Sequence, residues 1–296
     1  MRLFYDANID PNASTYLLSE EESKHVVRVL RGGVGDEIGI LDGKGRLFTC
    51  TIADAHPKRC LLNIQNIDLE KTSSEEIHIA VAPTKQMERI EWFVEKAVEL
   101  GVTKITLLDC KNGERARIKT DRLQKKAISA MKQSQRRYLP EIVALTSFSD
   151  FLTNHDFGLL AHCYEAEKHE FSTVFKGTSC PILIGPEGDF TELEVTQALE
   201  KGYKTITLGK NRLRTETAAL YACMQAKIFN RIMKKLLLVC ALLFSGWTVS
   251  SQETYQLAVL KYSGGGDYYA NPTALPTSFN IAIRIFPCQF LRKRLM

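Results

Sequence analysis

The sequence predicts an α/β protein in which a small strand-rich domain precedes a larger domain of alternating strands and helices. Strand-like segments separated by Gly-containing turns fill residues 1–72, and a polar segment at 70–76 without apolar periodicity closes that region. Short apolar strand candidates then alternate with amphipathic helix candidates, which is typical of a mainly parallel sheet with helices on both faces. We therefore expect a small β-barrel over 1–72, an α/β domain over 73–232 and an unrelated extension over 233–296.

The N-terminal region contains short strand candidates and one charged helix candidate, Glu20–Leu30. One face of this helix carries basic side chains. They fit either a solvated surface or an RNA-contacting surface. The predicted strands are Arg2–Tyr5, Glu37–Leu41, Leu47–Ile52 and Cys60–Ile64.

The second region shows helical periodicity most clearly at Met87–Leu100, where apolar residues share one face and Gly101 provides a stop. Further helices are expected at Asp121–Gln133, in the segment that begins at Thr191, and at Thr215–Ile232. The predicted strands of this region are Ile77–Ala82, Ile105–Leu108, Gly158–Ala161, Ile182–Ile184 and Thr205–Leu208.

Positive charge is distributed unevenly along the chain. The net charge is −2 for 1–72, +2 for 73–232 and +5 for 233–296, so the overall basicity says little about the first two regions. Between Lys111 and Arg137, however, ten basic residues accompany two acidic ones. This stretch is either a footprint for a phosphate backbone or a solvated helix face.

Cysteine spacing indicates a reduced protein without a metal site. The eight cysteines form no Cys-x-x-Cys pair and no Cys/His cluster at zinc spacing. Histidines recur at 155, 162 and 169, but a loop expected between them argues against a shared metal ion. The N-terminus has no charged segment leading into an apolar one, so export from that end is not expected.

Two loops that follow apolar strands indicate a ligand site, because open α/β sheets bind ligands beyond the carboxyl ends of their strands. The first loop, at 185–189, contains two glycines and a proline, and Thr191 and Glu194 after it have capping-box spacing. The second leads into Arg214 and a helix whose first turn contains Glu216, where the helix dipole favours a carboxylate.

The motifs IGPEGDF (184–190) and LG…LRTETA (208–218) resemble the paired motifs of SPOUT methyltransferases, in particular RsmE-type enzymes that methylate a uridine of small-subunit ribosomal RNA. The likeness covers about residues 1–232. It extends to His25 with Val29-Leu30-Arg31, to Gly113-Glu114-Arg115, and to Gln133-Ser134 followed by Pro140-Glu141-Ile142. The resemblance implies a PUA-like β-barrel that assists RNA binding, a SPOUT α/β domain with a C-terminal trefoil knot, and S-adenosylmethionine as methyl donor.

The resemblance also implies roles for individual residues. Arg214 and Glu216 are the expected catalytic residues, with Glu216 either orienting Arg214 or relaying a proton. Arg212 departs from the apolar residue that many relatives carry. The expected cofactor-binding residues are Leu160, Ala161, Ile184, Gly185, Glu187, Gly188, Leu208, Gly209, Leu213, Thr217 and Ala218. The expected RNA-binding residues are His25, Arg28, Arg31, Arg115, Arg117, Arg136 and Arg137.

The expected activity is methylation of uracil N3 in 16S ribosomal RNA, with free RNA or the assembled small ribosomal subunit as partner. Removing the N3 proton leaves negative charge that a nearby arginine can stabilise. A SPOUT ribose 2′-O-methyltransferase and a non-catalytic RNA-binding module are the alternatives. The resemblance further implies a homodimer, and we expect residues 1–232 to act in the cytoplasm without metal or membrane.

The segment after Ile232 has a different character. Met233-Lys234-Lys235 precedes an apolar run from Leu236 to Phe244 and then polar residues, the order of a secretory signal peptide. A buried terminal helix is the alternative. We expect a fused fragment of an unrelated exported protein that contributes nothing to the site.

Overall fold

The computed structural model describes residues 1–71, 76–114, 118–175, 177 and 180–248, with the backbone only over 234–248. The chain divides into two units, Met1–Leu243 and Phe244–Met296. The elements below belong to the first unit, and the described part of the second continues the last helix to Thr248. Most of the predicted exported fragment lies outside the described residues.

The N-terminal region forms a five-stranded sheet. Its strands are β1 (Arg2–Tyr5), β2 (Thr15–Leu17), β3 (Glu37–Leu41), β4 (Arg46–Asp54) and β5 (Leu61–Leu69). The spatial order is β1-β3-β4-β5-β2, with β1 parallel to β3 and the other pairs antiparallel. Alternating side chains of β4 point inward, as expected for strands with one buried face.

The helix predicted over 20–30 is shorter and less regular. Helix α1 covers Glu20–Lys24, capped by Ser19, and a π-helical turn continues over His25–Val29. The Leu30 amide donates to the His25 carbonyl at 2.9 Å, five residues back, which is the π-helical spacing. This turn buries Val26 in the barrel core and leaves His25 and Arg28 exposed.

The second region is built on a seven-stranded parallel sheet. Its strands are β6 (His78–Val81), β7 (Lys104–Asp109), β8 (Glu141–Ser147), β9 (Leu159–Ala161), β10 (His169–Glu170), β11 (Ile182–Ile184) and β12 (Lys204–Thr207). The order is β10-β12-β9-β11-β6-β7-β8, and every pairing is parallel. Strand β11 lies between β9 and β6. All side chains of β6 and β11 are buried, as expected for parallel strands covered on both faces.

Helices cover both faces of this sheet, as predicted. They are α2 (Met87–Leu100), α3 (Thr120–Gln133), α4 (Phe148–Asn154), α5 (Phe171–Val174), α6 (Glu192–Glu200) and α7 (Thr215–Thr248). One core includes Phe93 of α2, Leu123 of α3 and Ala219 of α7. The other includes Phe148 of α4 and Ala198 of α6.

Helix α7 runs past the predicted end at Ile232. Residues 233–244 are Met, Lys, Leu, Val, Cys, Ala and Phe, mostly good helix formers with no Gly or Pro to stop the helix. The helical backbone therefore crosses the position where we expected the extension to begin. Among the described residues, no helix combines the length and the apolar character needed to span a membrane.

Candidate active site

A cavity of about 730 Å³ lies at the carboxyl ends of β9, β11 and β12. Its wall is formed by residues that follow these three strands, together with the beginning of α7 and Arg89 from the first turn of α2. This is the edge at which the sequence predicted the site. Both loops that carry the recognised motifs line this cavity.

Hydrogen bonds fix the first loop in place. Thr215 Oγ1 donates to the carbonyl of Gly185 at 3.2 Å and thereby connects the two loops. A Cβ on Gly185 would meet the Phe190 ring at 3.0 Å, so a side chain there requires the ring to move. Asp189 accepts the Cys163 amide at 2.7 Å through Oδ2, which joins this loop to the end of β9.

The capping box predicted after this loop is present. The Glu194 amide donates to Thr191 Oγ1 at 3.2 Å, and Glu194 Oε2 accepts the Thr191 amide at 2.7 Å. Glu194 is buried, and its Oε1 accepts the Lys111 amide at 2.9 Å. Glu194 therefore connects the first turn of α6 to the segment after β7. Helix α6 begins shortly after the first cavity loop, so this contact also restrains the end of that loop.

The second loop, which follows β12, leaves more free space around its glycine than the first loop does. Gly209 has a φ of 115°, which L side chains rarely adopt, and no atom lies within 4 Å of where its Cβ would be. Glycine is therefore needed for backbone conformation here rather than for space. The Ala218 amide donates to the Arg214 carbonyl at 2.8 Å as helix α7 begins, so Arg214 immediately precedes the helix and lines the cavity.

We expected Glu216 either to orient Arg214 or to relay a proton, and its ionic partner in the structure is Arg89. Its Oε1 lies 3.8 Å from Arg89 Nε, and its Oε2 is buried without a hydrogen-bond partner among the described residues. No ion pair joins it to Arg214 in the part of the chain that the structure describes, and Glu216 does not line the cavity. Arg89 Nη1 also contacts Glu187 Oε1 at 3.1 Å, so this arginine bridges the first loop and α7.

Arg89 is a residue that sequence reasoning missed. It follows the start of an amphipathic helix, where a charged residue is ordinary, and no local motif marks it. Its importance follows only from tertiary contacts with two acidic residues far along the chain.

His162 and Cys163 form the end of β9 within the cavity wall. His162 is buried, and neither ring nitrogen has a hydrogen-bond partner among the described residues. Burial, followed by the charge of Lys168, lowers the pKa of His162. Its ring is therefore kept neutral near pH 7, with one nitrogen able to accept and one able to donate a hydrogen bond.

The structure brings most of the predicted cofactor residues together. Those that line the cavity are Ala161, Ile184, Gly185, Glu187, Leu208, Gly209, Leu213 and Ala218. Three others are outside its wall. Leu160 packs in the core beneath α4 and α6, Gly188 faces Asn112, and Thr217 is exposed on α7.

The predicted RNA-binding residues are dispersed. His25, Arg28 and Arg31 are exposed on the barrel, with Arg31 at a φ of 54°. Arg137 pairs with Asp68 of β5 at 2.7 Å, and the Arg136 guanidinium lies against Gly101. Arg115 and Arg117 lie outside the described residues.

Ion pairs also reduce the free charge of the basic stretch at 111–137. Arg122 pairs with Glu91, and Lys126 pairs with Glu95 at 3.4 Å. Part of the positive charge of α3 therefore binds it to α2. The net charge counted from sequence therefore exceeds the charge that remains outside ion pairs among the described residues of this stretch.

The fold defines an α/β protein with a cavity at the carboxyl edge of a parallel sheet and an additional N-terminal β domain. Residues 71–227 match the sequence profile of an RNA methyltransferase domain, and residues 18–65 match that of an RNA methyltransferase PUA domain. The chain belongs to the RsmE-type family of RNA methyltransferases.

Individual relatives agree with this membership. Ribosomal RNA small subunit methyltransferase E of Rickettsia conorii is 30% identical over 236 residues, which are 77% of this chain and 96% of the relative. The crystal structure of a probable rRNA-methyltransferase from Porphyromonas gingivalis matches with a TM-score of 0.72 and 36% identity, covering 79% of this chain and all of that one. The Neisseria gonorrhoeae methyltransferase E, bound to S-adenosyl methionine, matches with a TM-score of 0.67 and 28% identity, covering 77% of this chain and 97% of that one.

Proposed function

We propose that this chain transfers a methyl group from S-adenosylmethionine to N3 of a uridine in small-subunit ribosomal RNA. The observation that carries the proposal is the cavity in which both recognised motifs meet, with Arg214 in its wall. The relatives named as ribosomal RNA small subunit methyltransferase E support the same substrate.

The cavity fits the proposed cofactor. Its volume of about 730 Å³ lies within the range of small-molecule sites. Gly185 and Gly209 expose backbone groups, and Ile184, Leu208 and Ala218 provide apolar surface. We assign these residues to the cofactor, which supplies an activated methyl group on a positively charged sulfur when bound.

Arg214 is the residue we assign to the chemical step. Loss of the N3 proton places negative charge on the uracil ring and its carbonyl oxygens, and an exposed guanidinium in the cavity wall can stabilise that charge. Since the ring edge must reach the cavity, the target base has to be unpaired or extruded from its stack. Glu216 is assigned to positioning Arg89, because its nearest ionic partner is that guanidinium.

Homodimer formation, the trefoil knot and a cytoplasmic location also belong to this proposal. An exposed apolar stripe on α7 supports a second copy of the chain as partner: Tyr221, Met224, Ile228 and Ile232 recur on one side of the helix. The insertion of β11 between β9 and β6, next to the loop that leads into α7, supports a knotted C-terminal part. Ribosomal RNA as substrate supports the cytoplasm.

The proposal is tested in a strain that lacks the gene and is complemented with the wild-type chain or with Arg214→Ala. Mass spectrometry of nucleosides from the small subunit should show 3-methyluridine only with the wild type. Purified Arg214→Ala should lose about 100- to 1000-fold in turnover while its circular dichroism is unchanged. If the strain without the gene lacks a 2′-O-methylated nucleoside and keeps its 3-methyluridine, the chain is a ribose methyltransferase instead. Full turnover by Arg214→Ala would remove Arg214 from the mechanism.

A further inference from the structure

The cavity wall carries an excess of positive charge. Its acidic side chains are already engaged, since Glu187 pairs with Arg89 and Asp189 accepts the amides of Cys163 and Phe190. Among the described residues, no ion pair involves the cations that remain. These are Lys168, Lys210, Arg212 and Arg214.

Three of these cations have no role in the proposed chemistry, and they lie on adjacent segments. Lys168 immediately precedes β10, whereas Lys210 and Arg212 follow β12, with which β10 pairs. Thr205 Oγ1 donates to the Glu167 carbonyl at 3.0 Å, which holds the two segments together. Lys210 and Arg212 are exposed and Lys168 is partly exposed, so a ligand outside the cavity can reach them.

The charges of Lys168 and Arg212 act on side chains at the end of β9. Burial and Asp189 raise the pKa of Cys163, and the charges of Arg212 and Lys168 act against that rise. Lys168 also contributes to the lowered pKa of His162. Lys168 and Arg212 therefore lie near the same strand end, and all three cations line the same cavity.

The cofactor does not account for this charge. S-adenosylmethionine carries a sulfonium, an ammonium and a carboxylate near neutral pH, so its net charge is positive. Surplus cations around such a ligand weaken its binding through like-charge repulsion. A strand of RNA carries one negative charge per nucleotide and gains affinity from each cation that displaces its counterions.

We propose that Lys168, Lys210 and Arg212 form a phosphate-binding rim that holds the RNA backbone beside the target nucleotide. The rim rests on the proposed function and adds an RNA contact at the entrance to the active site. The backbone crosses the rim while the target base enters the cavity towards Arg214. Cations of the basic stretch that pair with Glu91, Glu95 and Asp68 are less available for this task.

The test compares two double variants that remove the same number of charges from opposite ends of β12. Lys210→Gln/Arg212→Gln changes the rim, whereas Lys201→Gln/Lys204→Gln changes exposed lysines at the amino end of the same strand. Lys168→Gln is a third variant on an independent segment. Binding of the full chain to a short fluorescein-labelled single-stranded RNA containing uridine is measured by anisotropy over a series of KCl concentrations. Calorimetry measures S-adenosylmethionine affinity.

The rim variant should flatten the log–log salt dependence by about 1.4, since each single-strand phosphate contact contributes about 0.7. If the binding curves converge near 1 M salt, this corresponds to roughly 25-fold weaker binding at about 0.1 M. Lys168→Gln should lower the slope by about half as much. The control variant should retain the wild-type slope, and S-adenosylmethionine affinity should be unchanged or slightly higher.

Each of the following results would overturn the rim. An unchanged RNA slope in Lys210→Gln/Arg212→Gln would show that these cations contact no phosphate. An equal loss of slope in the Lys201→Gln/Lys204→Gln control would show general attraction without a rim. A loss of cofactor affinity without a change in RNA slope would assign the cations to the cofactor carboxylate. A wild type that binds S-adenosylmethionine but no RNA would also overturn the rim, whereas a complemented strain that lacks 3-methyluridine would refute the proposed function itself.

Discussion

The bridge formed by Arg89 provides a quantitative test of how the site is held together. The Glu216 side chain is 10% exposed and lies 3.8 Å from Arg89 Nε, while the Arg89 side chain is 28% exposed. Removing one partner of a fully buried pair costs about 3–5 kcal/mol, because the other charge is left uncompensated. The partial exposure of Arg89 and the 3.8 Å separation reduce this, so we expect Arg89→Gln to lower the free energy of unfolding by about 1–3 kcal/mol.

A double-mutant cycle separates this interaction from other effects of the substitution. In a Glu216→Gln background only the contact of Arg89 with Glu187 remains, and both of those side chains are partly exposed, so Arg89→Gln should cost only about 0.2–1 kcal/mol there. Urea unfolding of the wild type, the two single variants and the double variant measures the coupling free energy between Arg89 and Glu216. Lys96→Gln is a matched control on the same helix, since its partners Glu95 and Glu99 are about one-third exposed and such surface pairs contribute little to stability. If Arg89→Gln lowers the free energy of unfolding equally in both backgrounds, the interaction between Arg89 and Glu216 is refuted.

Three further predictions concern the surrounding structure. Thr191→Ala removes the cap of α6 and should lower the free energy of unfolding by about 1 kcal/mol in urea titrations. The control Thr196→Ala, at an exposed position of the same helix, should lower it much less. Equal effects of the two substitutions would contradict the capping role of Thr191. Burial lowers the pKa of His78 from 6.5 to about 3, so the unfolded chain takes up a proton first as the pH falls. The stability advantage of the wild type over His78→Gln should therefore shrink by about 1.4 kcal/mol per pH unit between about pH 6 and 4, and a constant difference would contradict the neutral buried ring. A chain ending at Ile232 retains every residue of the cavity wall. Calorimetry should therefore give it the same affinity for S-adenosylmethionine as the full chain. Lost binding would show that residues 233–296 contribute to the site.

Local patterns predicted the central elements well. Helix Met87–Leu100 has the predicted bounds, because its apolar face and its Gly101 stop are both encoded in adjacent residues. Strand β11 likewise matches the apolar run Ile182–Ile184. In contrast, β8 and β10 were not predicted. The half-buried edge strand β8 mixes polar and apolar residues, and β10 has only two residues, so neither leaves a periodic signal.

The position of the cavity was predicted as far as it depends on backbone motifs. The loops at 185–189 and 208–214 meet as expected, because both follow parallel strands that end at the same edge. The partner of Glu216 was not predictable, since Arg89 reaches it only after the sheet has formed. The free charge of the basic stretch was overestimated for the same reason, because its acidic partners Glu91, Glu95 and Asp68 lie elsewhere in the chain.

The position of β11 between β6 and β9 has a consequence for the order in which this chain folds. Both neighbours of β11 precede it in sequence, so its place in the sheet must stay open until residues 182–184 arrive. Pairings between strands so distant along the chain form slowly, because loop closure precedes the contacts that stabilise it. The loop after β11 and the start of α7 are therefore assembled late, and synthesis must pass residue 218 before the cavity wall is complete. A nascent chain halted before that point has no complete site for the methyl donor.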